Sequence, residues 1–251
     1  MTRWWGVADD GVAIEVTVSG DSTDSLSDRW PPMGLTRSDL PIGPVLRHLT
    51  VATRGPVGEA TVTVDGEASP GGWDRVESEL ALFAAERVAG LVAVHAAVIV
   101  RETRALVVPG TSGSGKSTLC VAAVAAGAKV LTDEYALVDP ITGRVTGWRR
   151  PVRVRLPGGG VDRRDLTVAS DPLPVGLVAL VAHKPFAKRS WAPISAAETV
   201  LGLLANTVCA RSRSDEALDA ALAIGRSARA VGGTRGEANE VIEELLALAD
   251  E

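Results

Sequence analysis

Between Trp4 and about Val64 the chain alternates apolar and polar residues in short bursts. Val12-Ala13-Ile14-Glu15-Val16-Thr17-Val18 and Ala60-Thr61-Val62-Thr63-Val64 are the clearest, and Gly, Pro, Asp and Ser separate them. A period of two places alternate side chains on one face of a strand, so a small β-rich region is expected over residues 1–72. The polar stretch from Asp21 to Pro32 ends in two prolines and reads as a loop. From Trp73 to Ala89 the pattern changes. Val76, Leu80, Phe83, Ala84 and Val88 recur at steps of three and four, which predicts an amphipathic helix joining the first region to a second domain over residues 73–251.

In that second domain, His95 to Val100 and Ala105 to Val108 are apolar runs around the polar connection Arg101-Glu102-Thr103-Arg104, a β-hairpin pattern. If Val100 pairs with Ala105, His95 falls opposite Gly110. Leu119 to Ala126 predicts a helix stopped by Gly127, and Lys129 to Thr132 a strand, which completes a β-α-β unit. Tyr135 to Val138 and Arg144 to Trp148 flank Asp139-Pro140-Ile141-Thr142-Gly143 as a second hairpin, so the sheet should mix parallel and antiparallel strands. Helices are expected at about Ala196 to Asn206, Asp215 to Arg226 and Gly236 to Ala249. The fold class that follows is α/β, with a β-rich N-terminal region and C-terminal helices.

Composition narrows the function classes. With 46% hydrophobic and 23% charged residues, the 251-residue chain has the balance of a globular protein, and only 4% aromatics leave Val, Leu and Ala to build the core. A net charge of -5 argues against a nucleic-acid partner, which would need a clustered basic surface. The longest apolar stretch, Val88 to Val100, is broken by His95 and is shorter than the ~18 residues of a membrane span. With no signal-peptide pattern at Met1 to Asp10, a cytoplasmic protein with no membrane partner is expected. Cys120 and Cys209 sit in apolar surroundings and read as small buried thiols.

Gly110-Thr111-Ser112-Gly113-Ser114-Gly115-Lys116-Ser117 fits G-x-x-x-x-G-K-[ST] between a predicted strand and a predicted helix. In that context the glycines let backbone N–H groups turn toward a β-phosphate, and the helix start adds unpaired donors and a partial positive charge. Lys116 can bridge the β- and γ-phosphates of ATP. Ser117 can place its hydroxyl on a phosphate-bound Mg²⁺, with Thr118 supporting the phosphate shell. The strand Val130-Leu131-Thr132 ends in Asp133-Glu134, which should lie at the carboxyl edge of the sheet and reach the same Mg²⁺–phosphate cluster, Glu134 as a metal ligand. A solvated acidic pair opening a turn is the bland alternative. Sixteen residues lie between Lys116 and Asp133, room for one helix and one strand, a spacing that favours a compact kinase-like arrangement.

His95 is either a group at the loop entrance, able to meet a phosphate or a catalytic carboxylate, or a structural histidine if the register slips by one. His48 and His183 have no comparable context. Arg149, Arg150, Arg153 and Arg155 make the most basic stretch, followed by Gly158-Gly159-Gly160 and by Arg163 and Arg164. Arg153 and Arg155 would share a strand face and could bind an acidic substrate or phosphate, or simply protect an exposed edge. Lys184, Lys188 and Arg189 form a second basic loop.

The ordered set His95-Ala96-Ala97, Gly110 to Thr118 and Asp133-Glu134 resembles the HPr kinase/phosphorylase group, whose ATP core is related to that of phosphoenolpyruvate carboxykinase. The likeness is strongest from Val88 to Asp139. A weaker likeness runs from Leu177 through Ala192-Pro193-Ile194-Ser195-Ala196-Ala197-Glu198 and Leu203 to Thr207, as in shorter relatives that phosphorylate serine on peptide natural-product precursors. The resemblance implies a P-loop core of that type and a serine kinase using ATP and Mg²⁺. It also implies a catalytic role for His95, Asp133 as general base and Glu134 in the place of a second acid that is usually Asp. The chain has no clear counterpart of the group's glycine-rich signature or Gly-Arg-Asn loop, which speaks against phosphorolysis and against HPr as the substrate. The expected partner is a peptide or protein carrying an acceptor serine, with self-association left open. A regulatory ATPase switch and a small-molecule hydroxyl kinase are the alternative functions.

Overall fold

The computed structural model describes residues 2–20, 34–40, 43–54, 59–156 and 160–251, so the expected loop from Asp21 to Pro32 and the first two glycines of Gly158-Gly159-Gly160 lie outside the described residues. The chain divides into two compact units, Met1–Ala89 and Gly90–Glu251. In the first unit, β1 (Thr2–Val7), β2 (Ala13–Gly20), β3 (Thr36–Ser38), β4 (Val45–Arg54), β5 (Glu59–Val64) and β6 (Glu67–Ser69) form one sheet in the order β3-β1-β2-β4-β5-β6. Alternation does what it predicts: Ile14, Val16, Val18, Leu49, Val51 and Val62 are buried. Helix α1 (Gly72–Ala85) buries Val76, Leu80, Phe83 and Ala84, the three- and four-residue series. It belongs to this first unit, so the division falls after Ala89 and not at residue 72. An amphipathic pattern shows that a helix has an apolar face, but not which core that face joins.

The second unit runs β7 (Val92–Val100), β8 (Ala105–Pro109), α2 (Lys116–Ala125), β9 (Lys129–Thr132), β10 (Tyr135–Val138), β11 (Val145–Gly147), β12 (Val152–Arg155), β13 (Val161–Arg164), β14 (Val175–His183), β15 (Ser190–Pro193), α3 (Ala196–Leu204), α4 (Ser214–Ser227), β16 (Arg229–Arg235) and α5 (Ala238–Asp250). Its main sheet has the order β11-β10-β7-β8-β14-β16-β15, with β9 also paired to β7. Strands β8, β14 and β16 are mutually parallel, while β7 is antiparallel to β8, β9 and β10. The fold class is therefore α/β with mixed strand directions, as the two hairpin patterns predict. Val100 pairs with Ala105 and Ala96 with Pro109, the register that a four-residue connection requires.

Strand β7 shows why the unit is layered. Ala97 and Ile99 pack in one cluster with Leu119 and Cys120 of α2 and Val241, Ile242 and Leu245 of α5. Val92, Val94, Ala96, Val98 and Val100 pack in another with Leu203 of α3 and Ala217, Ala221 and Ile224 of α4. Both faces of the central strand are covered, so its sequence is apolar almost throughout rather than alternating. Helix α3 starts where Ser195 accepts from the Glu198 amide at 3.2 Å and Glu198 accepts from the Ser195 amide at 2.8 Å, a reciprocal cap. Among the described residues, no helix is long and apolar enough to cross a membrane.

Candidate active site

Because β8, β14 and β16 are parallel, their carboxyl ends, Pro109, His183 and Arg235, meet at one edge of the sheet. The glycine-rich loop leaves that edge and enters α2. Gly113 and Gly115 have φ of 86° and 85°, a region where a side chain is strained. Gly115 is the N-cap of α2 and no side chain caps the helix. Among the described residues, no acceptor meets the amides of Ser112, Gly113, Gly115 and Lys116, so the loop and first turn present a row of free donors. Thr111, Ser112, Gly113 and Thr118 are exposed, and Ser114 is half-buried. Lys116 is 6% exposed and folds back to donate to the carbonyls of Gly110 (2.6 Å) and Thr111 (3.0 Å). Burial pulls its pKa down, opposed by the charges of Glu134 and Asp133.

Asp133 and Glu134 occupy a break between β9 and β10, which follow one another along the same side of β7. Thr132 pairs with Val98 and Tyr135 with His95. The break is held by the Thr132 hydroxyl, which accepts from the amides of Glu134 (3.0 Å) and Tyr135 (3.2 Å), and by the Ala96 amide, which donates to the Glu134 carbonyl (3.1 Å). The acids thus lie along β7, where the carboxylate of Asp133 is 0% exposed. Ser117 Oγ donates to Asp133 Oδ2 at 2.6 Å, tying the first turn of α2 to the acid pair.

His95 is bound at its main chain on both sides: its amide donates to the Asn206 carbonyl (2.7 Å) and its carbonyl accepts from the Gly110 amide (3.1 Å). It shares the strand parity of Ala97 and Ile99, which pack on α2. Its ring lies 5.7 Å from that of Tyr135, which stands edge-on to Trp148 at 6.0 Å. Burial first, then the charges of Lys116 and Arg150, lower the His95 pKa from 6.5 to about 4, with Asp133 opposing. The imidazole is therefore neutral at pH 7, able to donate one hydrogen bond and accept another.

A consequence for stability follows. Between the unfolded pKa of 6.5 and the folded value of about 4, the unfolded chain binds the proton that the folded chain refuses. The contribution of His95 is thus present above that window and lost as pH falls through it. The melting temperature should drop on going from pH 7 to pH 4.5, and it should drop less in His95→Gln. Thermal unfolding of both proteins at several pH values measures the difference, and equal slopes would contradict a desolvated imidazole.

Four arginines complete the edge; the sequence pattern proposes Arg153 and Arg155 for an acidic substrate or phosphate and singles out neither Arg150 nor Arg235. Arg150 donates from Nε to Asp133 Oδ1 at 3.4 Å and forms a short contact from its terminal nitrogen to Glu134 Oε2. Arg155 donates to the Ser112 hydroxyl at 3.3 Å, and its guanidinium lies beside Gly113. Arg153 offers its amide to Asp133 Oδ2 at 3.4 Å. The ribbon carrying Arg153 and Arg155, β12 with β13, buries Val152 beside α2. Arg235 is 2% exposed and donates to the carbonyls of Ser114 and Gly115, both at 3.2 Å. Burial lowers its pKa. A Cβ at Gly115 would come within 2.4 Å of that guanidinium and 3.9 Å of the His183 Cβ. His183, without context in the sequence, therefore stands at the loop, with its Nε2 3.6 Å from Glu237. His48 lies in the other unit, 3.8 Å from Glu15.

No family model matches the chain, and no curated protein matches it.

Proposed function

We propose that this chain is an ATP-dependent kinase with a P-loop core of the HPr kinase/phosphoenolpyruvate carboxykinase type, transferring the γ-phosphoryl group to a hydroxyl, serine of a peptide or protein. The observation that carries the reading is the 2.6 Å hydrogen bond between Ser117 and Asp133, because it joins the helix start behind the glycine loop to an acid whose carboxylate is fully buried. Phosphoryl transfer asks mainly for positioned donors, charge neutralisation and a base at the acceptor. The free amides of the loop and the ammonium of Lys116 provide the first two. Asp133 takes the proton of the acceptor as its oxygen bonds to the γ-phosphorus and the bond to the departing ADP oxygen breaks.

The oxygens present suit Mg²⁺. Among the described residues no group of three or more His, Cys, Asp or Glu gathers, and Mg²⁺ is commonly held by one or two carboxylates together with substrate phosphates. Ser117 and Glu134, both hard oxygen donors beside Asp133, would hold it, and the ion would neutralise charge on the β- and γ-phosphates. Incubating the protein with γ-labelled ATP and serine-containing peptides tests the reading. Label on the peptide supports it, and ATP hydrolysis that is equally fast without any acceptor would favour a regulatory ATPase.

The position of Arg155 on Ser112 supports assigning its guanidinium to the nucleotide rather than to the acceptor. Arg155→Ala should raise the KM for ATP by about tenfold and lessen its salt dependence, while the KM for the peptide changes less than threefold. Steady-state kinetics with each substrate varied in turn would show it. The opposite pattern would return Arg155, with Arg153, to an acceptor-binding strip.

A further inference from the structure

The side chains of Lys116, Ser117 and Asp133 are each engaged by another part of the chain. Lys116 is turned back onto the loop carbonyls, and Ser117 is spent on Asp133. Arg150 spans both carboxylates with one guanidinium. Asp133 accepts from Ser117 and the Arg153 amide at Oδ2 and from Arg150 at Oδ1, so Oδ1 becomes free for an acceptor proton only when Arg150 leaves.

The backbone of Arg150 is not what moves. Its carbonyl accepts from the Thr167 hydroxyl at 3.1 Å, Thr167 is 7% exposed, and Pro151 fixes the next φ. The side chain has a different status. It is 16% exposed, as is Glu134, whereas Asp133 is at 0%. The guanidinium therefore lies at the solvent side of a buried carboxylate, where side-chain rotation alone can release it. Two carboxylates held by one monovalent cation also make a site that a divalent cation could occupy only by displacing that group.

We infer that Arg150 is a displaceable internal cation. It holds Asp133 and Glu134 together until a divalent ion takes Glu134 and displaces the guanidinium from both, and the released group, with five N–H donors in a fork, then turns to the oxygens of the phosphoryl group being transferred. The first half stands on the ion-pair geometry, and the second rests on the kinase reading. Arg150 thereby couples metal arrival to the freeing of the base.

The test uses the full chain and Mn²⁺ alone, with free Mn²⁺ followed by electron paramagnetic resonance. A paired Arg changes the affinity of a carboxylate for a competing cation by about tenfold or more. Arg150→Gln should therefore bind Mn²⁺ at least ~10-fold more tightly than the unaltered protein, and Arg150→Lys should fall between them. Equal or weaker Mn²⁺ binding in Arg150→Gln overturns the competition. With Mg²⁺ and ATP, phosphoryl transfer should fall by about 10²-fold in Arg150→Gln, and unchanged transfer overturns the second half. Should Arg150→Gln fail to fold, ¹⁵N spectra of the guanidinium groups of the unaltered protein decide instead: the Arg150 Nε signal must shift on Mg²⁺ addition, and a static signal rejects the idea. Tighter Mn²⁺ binding in a protein that phosphorylates no hydroxyl would reject the kinase reading and leave the competition standing.

Discussion

Lys116→Ala is expected to lose phosphoryl transfer by at least ~10²-fold while keeping its fold. The ammonium sits within the loop, on the carbonyls of Gly110 and Thr111, and removing a single preorganised donor from a developing phosphoryl charge typically costs that much in rate. The structural cost should be small. Lys116 makes two hydrogen bonds to loop carbonyls, and Thr111 is exposed enough for water to replace one of them, so the loss is about 1 kcal/mol. Far-ultraviolet circular dichroism should be unchanged and the melting temperature slightly lower. Retention of more than about a tenth of the transfer rate would remove the loop from the mechanism.

Asp133→Asn should separate binding from transfer. The amide keeps the shape of the carboxylate but cannot take the acceptor's proton, so transfer should fall by ~10²-fold or more while ATP affinity changes less than about threefold. It should also weaken the fold. Ser117 Oγ and the Arg153 amide meet this carboxylate at Oδ2 and Arg150 Nε meets it at Oδ1, and an amide offers an oxygen at only one end. At least one donor is left facing an NH₂ group inside a site of no exposure, a mismatch of about 1–3 kcal/mol. Isothermal titration with ATP, thermal unfolding and single-turnover transfer read the three effects separately. Equal losses in ATP binding and transfer would make Asp133 a metal ligand and nothing more.

How much of this was legible in the sequence depends on whether the signal was local. The β7–β8 register could be read because a four-residue connection leaves few choices, and α2 because a strand, a glycine-rich loop and an apolar helix stand in series. The three C-terminal helices followed from spacing and stop residues. Strand β16 was not legible. Arg229-Ala230-Val231-Gly232-Gly233-Thr234-Arg235 carries two glycines and no alternation, and it is a strand because β14 and β15 pair on its two sides. Arg235 and His183 stayed hidden for the same reason, since only the parallel pairing of β14 with β16 brings them to the loop. Arg150 was visible only as one charge in a basic run, and nothing in the order Trp148-Arg149-Arg150-Pro151 says which of two adjacent arginines turns toward the acids. The acid pair was legible as chemistry but not as depth, because the break that buries Asp133 depends on β9 and β10 sharing the side of β7.

Arg235 gives the loop an unusual dependence on chain order. The carbonyls it grips belong to Ser114 and Gly115, 121 and 120 residues earlier. Its strand reaches the loop only after β14 has docked on β8 and β16 on β14, two parallel pairings between segments far apart in sequence, which are slow to close because long loops must be ordered first. A chain emerging from its amino end therefore acquires glycine loop, histidine, acids and Arg150 well before it acquires the residue that pins the loop. During synthesis the motif exists as sequence long before it exists as a shaped loop, and the contact of Arg235 with it becomes a mark of completed folding.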